Sequence, residues 1–227
     1  MRSALVIGAS RGIGFGFARQ YASDGWRVTG TYRSEADADR LRAIGVEPMA
    51  LDVLAADAPQ QLAAALTTAG GSLDVAIINA GIHGPQHLRI ANPPGVADFN
   101  RVMHTNVHAP MRLLGVLAGP IEAARGTIAL LSSRMGSVSE TDTPNSLLYR
   151  TSKAALNMVT KAAHVELSPQ GVRVIALHPG WVRTDLGGSG ASLEVDESVR
   201  GMRQVIASPE TYPGGGFFDW SGGVVAW

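Results

Sequence analysis

Ser3-Ala4-Leu5-Val6-Ile7-Gly8-Ala9-Ser10-Arg11-Gly12-Ile13-Gly14 opens the chain with a short apolar run that breaks into a glycine-rich turn. It passes into Phe15-Gly16-Phe17-Ala18-Arg19-Gln20-Tyr21-Ala22, which has helical periodicity. Strand, glycine turn and helix in that order form the context of a nucleotide site. Glycine lets the backbone turn tightly and approach a pyrophosphate. The helix N-terminus offers unpaired N–H groups and a positive dipole end to the phosphates. Gly8, Ser10, Arg11, Gly12, Ile13 and Gly14 are therefore candidate cofactor-binding residues. The spacing is G-x-x-x-G-x-G rather than the usual G-x-G-x-x-G, and a purely structural glycine turn is the plain alternative.

Arg27-Val28-Thr29-Gly30-Thr31-Tyr32-Arg33 follows as a β-rich run, the second strand. A site selective for NAD places Asp or Glu near the end of that strand to hold the ribose 2′-OH. Tyr32 and Arg33 stand there instead, and Arg11 lies inside the glycine turn. Guanidiniums near that ribose favour a 2′-phosphate through charge-assisted hydrogen bonds. The expectation is NADP(H) in preference to NAD(H). Glu35, after Ser34, suits the first turn of the next helix.

Further along, short β-rich runs alternate with helical patterns. Strands are expected at Ala4-Ile7, Arg27-Tyr32, Glu47-Leu51, Val75-Asn79, Gly126-Ser132, Val172-His178 and Phe217-Asp219. Helices are expected at 12–23, 35–43, 58–69, 98–117, 149–167 and 195–206. This alternation predicts an α/β fold, a single doubly wound Rossmann-type domain spanning 1–227 with helices on both faces of a parallel sheet. The length fits one domain with a substantial core. With 19 basic and 19 acidic residues there is no global pull towards nucleic acid or an anionic membrane. The absence of cysteine excludes disulfides and thiolate metal sites and fits a cytoplasmic protein. No room is left for a signal peptide before the first strand, and no apolar run reaches the ~18 residues of a membrane span.

Tyr149-Arg150-Thr151-Ser152-Lys153, with Ser132-Ser133 upstream, carries the chemistry. In a helix, residues at i and i+4 share a face, so Lys153 stands beside the Tyr149 phenol. A neighbouring cation favours phenolate and brings the phenol's pKa, ordinarily ~10, towards the working range of an acid–base catalyst. Nearby serine hydroxyls can hydrogen-bond an oxygen that gains negative charge. These groups suit protonation of a carbonyl as a hydride arrives, or the reverse.

Together these elements resemble the classical short-chain dehydrogenase/reductase family, from Ala4 to about Thr184 and more loosely beyond. Leu51-Asp52-Val53 looks like the family's pair after the third strand, which implies that Asp52 and Val53 meet the adenine. Asn79-Ala80-Gly81 is similar to the family's Asn-Ala-Gly element. Asn106 resembles the asparagine that bends a helix and connects the active-site lysine to water. Pro179-Gly180, with Val182 and Thr184, resembles the segment beside the nicotinamide. The resemblance implies Tyr149 as acid–base, Lys153 lowering its pKa and holding the ribose, a serine polarising the carbonyl, and Asn106 as the fourth catalytic residue. It also implies a small carbonyl or alcohol substrate and a homo-oligomer, dimer or tetramer. No metal, nucleic acid or membrane partner is expected.

Three departures qualify it. Ile7 replaces the threonine common before the first glycine, which removes a structural hydrogen bond. The segment between Ser133 and Tyr149 is a few residues longer than the family norm, so Glu140–Asn145 should form an enlarged loop at the substrate mouth. Either Ser132 or Ser133 can be the catalytic serine, and the family's Ser-x-x-Gly pattern, with Gly136, selects Ser133. The long loops and the C-terminal Phe217-Phe218-Asp219-Trp220-Ser221-Gly222 resemble the branch of C-factor proteins and sniffer-type carbonyl reductases.

Gly187-Gly188-Ser189-Gly190-Ala191-Ser192 falls where the family keeps a substrate lid, and a plain flexible loop is the alternative. His104 and His108 have the i,i+4 spacing of metal ligands but no evident third partner. His83 lines the pocket or serves its loop, and Trp181 walls the site or packs. Ala154, Ala155, Ala162 and Ala163 allow close helix approach, for a dimer or within the monomer. The leading expectation is an NADPH-dependent carbonyl reductase. A dinucleotide-binding regulator of C-factor type is the alternative, because fold does not decide function. Chemistry on C=N bonds, epimerisation and dehydration are further possibilities for the same residues.

Overall fold

The computed structural model describes residues 1–227. The chain runs β1 (Ser3–Ile7), α1 (Gly12–Ser23), β2 (Arg27–Tyr32), α2 (Glu35–Arg42), β3 (Glu47–Ala50) and α3 (Ala58–Thr68). It continues with β4 (Val75–Ile78), α4 (Val96–Met103), a π-helical turn (His104–His108), α5 (Ala109–Ala124) and β5 (Thr127–Leu131). The last part comprises α6 (Leu147–Leu167), β6 (Arg173–His178), α7 (Val195–Ala207) and β7 (Phe217–Asp219). All seven strands join one sheet in the order β3-β2-β1-β4-β5-β6-β7, and every pairing is parallel. The expected strands lie within one or two residues of these bounds. No helix is long and apolar enough to cross a membrane.

Both faces of the sheet are covered, so its central strands read as unbroken apolar runs rather than alternating ones. All five residues of β1 are buried. Its alternation still sorts them by face. Ala4 and Val6 pack with Phe17, Leu41 and Val199 from α1, α2 and α7. Leu5 and Ile7 pack with Leu62, Leu117 and Leu156 from α3, α5 and α6. β1 lies between β2 and β4, aligning Leu5 with Thr29 on one side and Ala76 on the other. The chain order reverses at this strand. A doubly wound sheet opens a crevice outside its strand ends at such a reversal.

The glycine turn is stitched to both neighbouring strands. Gly8 N–H donates to Thr31 Oγ1 at 2.8 Å, and the Asn79 side-chain amide donates to Gly8 O at 2.8 Å. Thr31 on β2 thus ties the turn with a hydroxyl, although Ile7 precedes the first glycine. Gly14 is obligatory here for space. A Cβ on it would strike the Gly8 carbonyl and come within 2.6 Å of Asn79 Nδ2.

The helix expected at 98–117 is longer and interrupted, with α4, the π turn and α5 running continuously from Val96 to Ala124. Pro110 has no N–H to offer the carbonyl four residues earlier, that of Asn106, and the backbone widens there. α6 starts at Leu147 rather than at 149. Its first residues are anchored from outside, Ser146 N–H donating to Gln86 O at 3.1 Å and Leu147 N–H to Leu88 O at 3.4 Å.

Gly14→Ala is expected to lower stability by roughly 1–3 kcal/mol, the usual cost of overpacking a filled site. It should also break the Asn79–Gly8 bond. Urea unfolding of the two proteins measures the difference, and an unchanged midpoint would contradict this packing.

Candidate active site

The crevice at the β1/β4 reversal holds two adjoining cavities. The larger, of about 520 Å³, is bounded by Gly12, Ile13, Tyr149, Lys153, Pro179 and Thr184. The smaller, of about 320 Å³, is bounded by Gly8, Ser10, Tyr32, Arg33, Asp52 and Val53, with Ala80 beside them. Arg11, Asn79 and Gly81 line both, so the glycine turn is the ridge between them. No side chain caps the N-terminus of α1, which leaves its first N–H groups free to meet an anion. A two-lobed crevice with uncapped donors and guanidiniums at its ridge fits a dinucleotide.

Three of the expected cofactor residues stand off these walls. Gly14 is buried beneath the turn. Val182 turns its buried side chain inward and bridges to Leu193. Gly180 packs against Leu193 and Trp220 instead of the cavity.

Four guanidiniums lie at or near the smaller cavity and differ in their commitments; Arg101 of α4, which lines it, pairs with Asp98. Arg11 reaches across the larger cavity to an ion pair with Asp185. Arg40, not anticipated from the sequence, donates to Ser10 O at 3.0 Å and pairs with Asp37. Arg33 is exposed on the cavity wall. Glu35 accepts from the Tyr32 hydroxyl at 3.2 Å and opens α2, as expected.

At the larger cavity, β5 and α6 bring the remaining site residues together. The buried face of α6 carries Tyr149, Ser152, Lys153, Leu156 and Asn157. The one-turn spacing puts Lys153 Nζ 5.7 Å from the centre of the Tyr149 ring. The ammonium donates to Leu131 O at 2.7 Å. A Cβ on Gly136 would lie 2.7 Å from Lys153 backbone and side-chain atoms, so the Ser-x-x-Gly glycine is what lets this turn approach α6.

The two serines diverge. Ser132 donates to Asn157 Oδ1 at 2.5 Å, turned towards the flank of α6, although its atoms reach the cavity wall. Ser133 Oγ accepts from Met135 N–H at 3.2 Å and acts on the Tyr149 phenol. Asn106, buried in the π turn, accepts from Ile82 N–H at 2.9 Å and donates to Ile82 O at 2.8 Å and Ser152 Oγ at 2.9 Å. It reaches Lys153 only across Gly81, whose position faces both side chains.

Burial sets the electrostatics. It pushes the Tyr149 phenol up to about 12, with Ser133 acting weakly in the opposite direction. It brings Lys153 down to about 8. Lys153 was expected to lower the phenol's pKa, and here the shift is reversed. The ammonium is committed to the Leu131 carbonyl, and desolvation of the phenolate outweighs it.

Residues 140–145 form an irregular loop, as expected, but none of them lines either cavity. Arg150 holds it through Asn145 O at 2.9 Å and Thr143 Oγ1 at 2.7 Å. The segment after Thr184 is folded back rather than extended, with Trp181 Nε1–H donating to Gly187 O at 2.8 Å. Two more contacts, besides Arg40 with Ser10, were not signalled by the sequence. Arg11 meets Asp185 from far along the chain, and the His83 ring stacks on Tyr149 at 4.3 Å between centroids. Only the occurrence of His83 just after Asn79-Ala80-Gly81 pointed to the pocket.

Fold and crevice are those of a dinucleotide-binding α/β protein. The short chain dehydrogenase family matches residues 2–192. The C-signal protein of Myxococcus xanthus is 40% identical over 159 residues, which is 69% of this chain and 94% of that protein. The carbonyl reductase Sniffer of D. melanogaster superposes with a TM-score of 0.90 at 29% identity over 100% of both chains. The NADPH-bound carbonyl reductase from chicken fatty liver does so with a TM-score of 0.88 at 32% identity, covering 100% of this chain and 99% of that one. The chain belongs to the short-chain dehydrogenase/reductase family of oxidoreductases, and its likeness to C-signal and Sniffer agrees with the branch that the loops suggested.

The depressed Lys153 pKa makes stability depend on pH. Between the folded value of about 8 and the ordinary 10.5, the unfolded chain holds a proton that the folded chain has released. Stability therefore rises with pH across that window. Below about 8 the folded state carries the full cost of a buried cation. Lys153→Met should be the more stable protein at pH 7, and its advantage should shrink by pH 9.5. Urea unfolding at both pH values tests this; an advantage that widens with pH would contradict a buried ammonium.

Proposed function

We propose that this chain, acting as one unit over 1–227, is an NADPH-dependent carbonyl reductase that converts a small carbonyl compound to an alcohol, reversibly. The observation that carries the reading is the meeting of Tyr149, Lys153 and the Ser133 hydroxyl at the end of β5, beside the larger lobe of the dinucleotide crevice. Bound NADPH supplies the hydride to the carbonyl carbon. Tyr149 donates its phenolic proton to the carbonyl oxygen. Ser133 hydrogen-bonds that oxygen as negative charge develops on it. Lys153 holds the ribose and, with Asn106 behind it, fixes the floor of the site. The phenol, pushed up to about 12 by burial, carries the proton that carbonyl reduction requires of it.

The relatives support the same reading. Sniffer and the chicken fatty-liver protein are carbonyl reductases, and the latter is NADPH-bound. Similarity to C-signal favours a second reading, a dinucleotide-binding regulator on the same fold. Retention of the whole acid–base set supports the enzyme, since a binding module does not need it. A cytoplasmic location and a homo-oligomer belong to the proposal. Met111 on α5 and Met158 and Val165 on α6 are exposed apolar residues on helices where a second copy can pack.

Tyr149→Phe is expected to lower kcat by ~10²–10⁴-fold, the usual worth of general acid–base assistance, with NADPH binding nearly unchanged. A screen of aldehydes, ketones and diketones for NADPH consumption supplies the substrate. A mutant keeping more than half of the wild-type kcat would sink the assignment, and no turnover of any carbonyl would favour the regulator. In the same assay Ser133→Ala should lose far more kcat than Ser132→Ala.

NADPH is expected to bind at least tenfold more tightly than NADH. Charge-assisted hydrogen bonds contribute ~1.5–3 kcal/mol, and tenfold requires only about 1.4 kcal/mol. Arg33 should carry most of this, because Arg11 is drawn to Asp185 and Arg40 to Asp37. The exposed Arg11–Asp185 pair is worth ~0–1 kcal/mol, so Arg11 can still be recruited. Fluorescence titration should show Arg33→Ala weakening NADPH and sparing NADH; equal loss for both would place Arg33 elsewhere.

A further inference from the structure

The Tyr149 phenol has an aromatic neighbour that the proposed reaction leaves unused. The half-buried His83 imidazole lies face to face with it, ring centroids 4.3 Å apart and planes inclined by 11°. This stack is held from behind. Asn106 fixes both backbone polar groups of Ile82, the residue just before His83, at 2.9 and 2.8 Å. The same asparagine amide donates to Ser152 on α6, at 2.9 Å. One buried side chain therefore ties the loop after β4 and the Tyr149 helix into a fixed relation.

We propose that His83 is a positioning residue for Tyr149: its ring sets the orientation of the phenol, and its protonation is transmitted to the phenol through the stack. The inference rests on Tyr149 being the reacting acid. His83 Nδ1 faces Gly84 O at 3.4 Å; a carbonyl only accepts, so this hydrogen bond forms in the tautomer that carries the hydrogen on Nδ1. A neutral ring packs on the phenol as an apolar face. An imidazolium in its place sits over the negative face of the phenol and favours phenolate, making Tyr149 the stronger acid.

Few other charges compete. On α6, Lys153 is committed to Leu131 O and Arg150 to Asn145 and Thr143. On α4, Arg101 pairs with Asp98. His104 and His108 of the π turn are exposed and lie against each other. In the loop itself His87 and Arg89 are exposed. Burial lowers the His83 pKa from its ordinary 6.5 and the Gly84 carbonyl opposes it. The ring therefore takes up its proton at a lower pH than an ordinary imidazole.

The test needs no identified substrate. In protein labelled with ¹³Cζ-tyrosine, the Tyr149 resonance is assigned by its absence in Tyr149→Phe. It should move as His83 titrates below pH 6.5, and stay flat over that range in His83→Phe. Reduction of 9,10-phenanthrenequinone with NADPH gives the second arm. His83→Ala should lose roughly tenfold in kcat with the KM for NADPH unchanged, since a misplacement of about 1 Å can cost ~10²-fold. His83→Phe, which keeps a stacking ring, should recover most of that loss. A Tyr149 resonance indifferent to His83, or a His83→Ala protein with wild-type kcat, overturns the proposal. If the wild type does not reduce the quinone, the reductase reading has failed on that probe and the resonance alone decides the contact. Thermal melting of each variant separates an unfolded protein from a misplaced phenol.

Discussion

The rest of the structure depends on how β1 ends. Its last residues must stop between two parallel neighbours and turn without closing the crevice that the reversal of strand order opens there. Two hydrogen bonds fix that stop, Gly8 N–H to Thr31 Oγ1 on the β2 side and Asn79 Nδ2 to Gly8 O on the β4 side. Gly14 then brings the start of α1 down onto the Gly8 carbonyl. The uncapped helix end and the ridge between the two cavities follow from this placement. The site is thus a property of the sheet's topology before it is a property of any catalytic side chain.

What the sequence reveals of this follows from how local each signal is. The strands were legible because a sheet covered on both faces demands contiguous apolar runs, and Leu5-Val6-Ile7 or Ile128-Ala129-Leu130 have no other use. Tyr149 and Lys153 were legible because helical spacing alone puts them on one face. The start of α6 was misplaced by two residues because tertiary bonds from Gln86 and Leu88 set it, not a local cap. The break in the long helix was foreshadowed only by Pro110 and by the resemblance carried by Asn106. Arg11 with Asp185, Arg40 with Ser10, and His83 with Tyr149 were illegible, since each joins segments that only the folded chain brings together.

The divergence of Ser132 and Ser133 shows how a pattern of residue types acquires direction. Adjacent residues leaving a strand point to opposite sides. Ser132 is consumed by Asn157 of α6, whose amide also holds Gly136 O at 3.2 Å. Ser133 falls on the side of the phenol. Its hydroxyl receives the Met135 N–H and begins a tight turn. That turn brings Gly136 against Lys153. The serine nearest the phenol, the glycine and the lysine are therefore linked by a single local geometry, which is why a larger residue at Gly136 would displace the lysine as well as the loop.

Burial of Tyr149 and Lys153 acts on both groups in one sense, towards their neutral forms: the phenol rises to about 12 and the ammonium falls to about 8. The same desolvation strengthens every hydrogen bond made to an oxygen that becomes negative in the site. A proton donor, a serine hydroxyl and a cation held by one carbonyl stand together beside the larger cavity. The cost is a lysine whose charge is stabilised in the folded chain chiefly by Leu131 O. Such a cation, one turn from a phenol and beside a crevice with unsatisfied donors, is a local sacrifice of stability. The large cores on both faces of the sheet can absorb it.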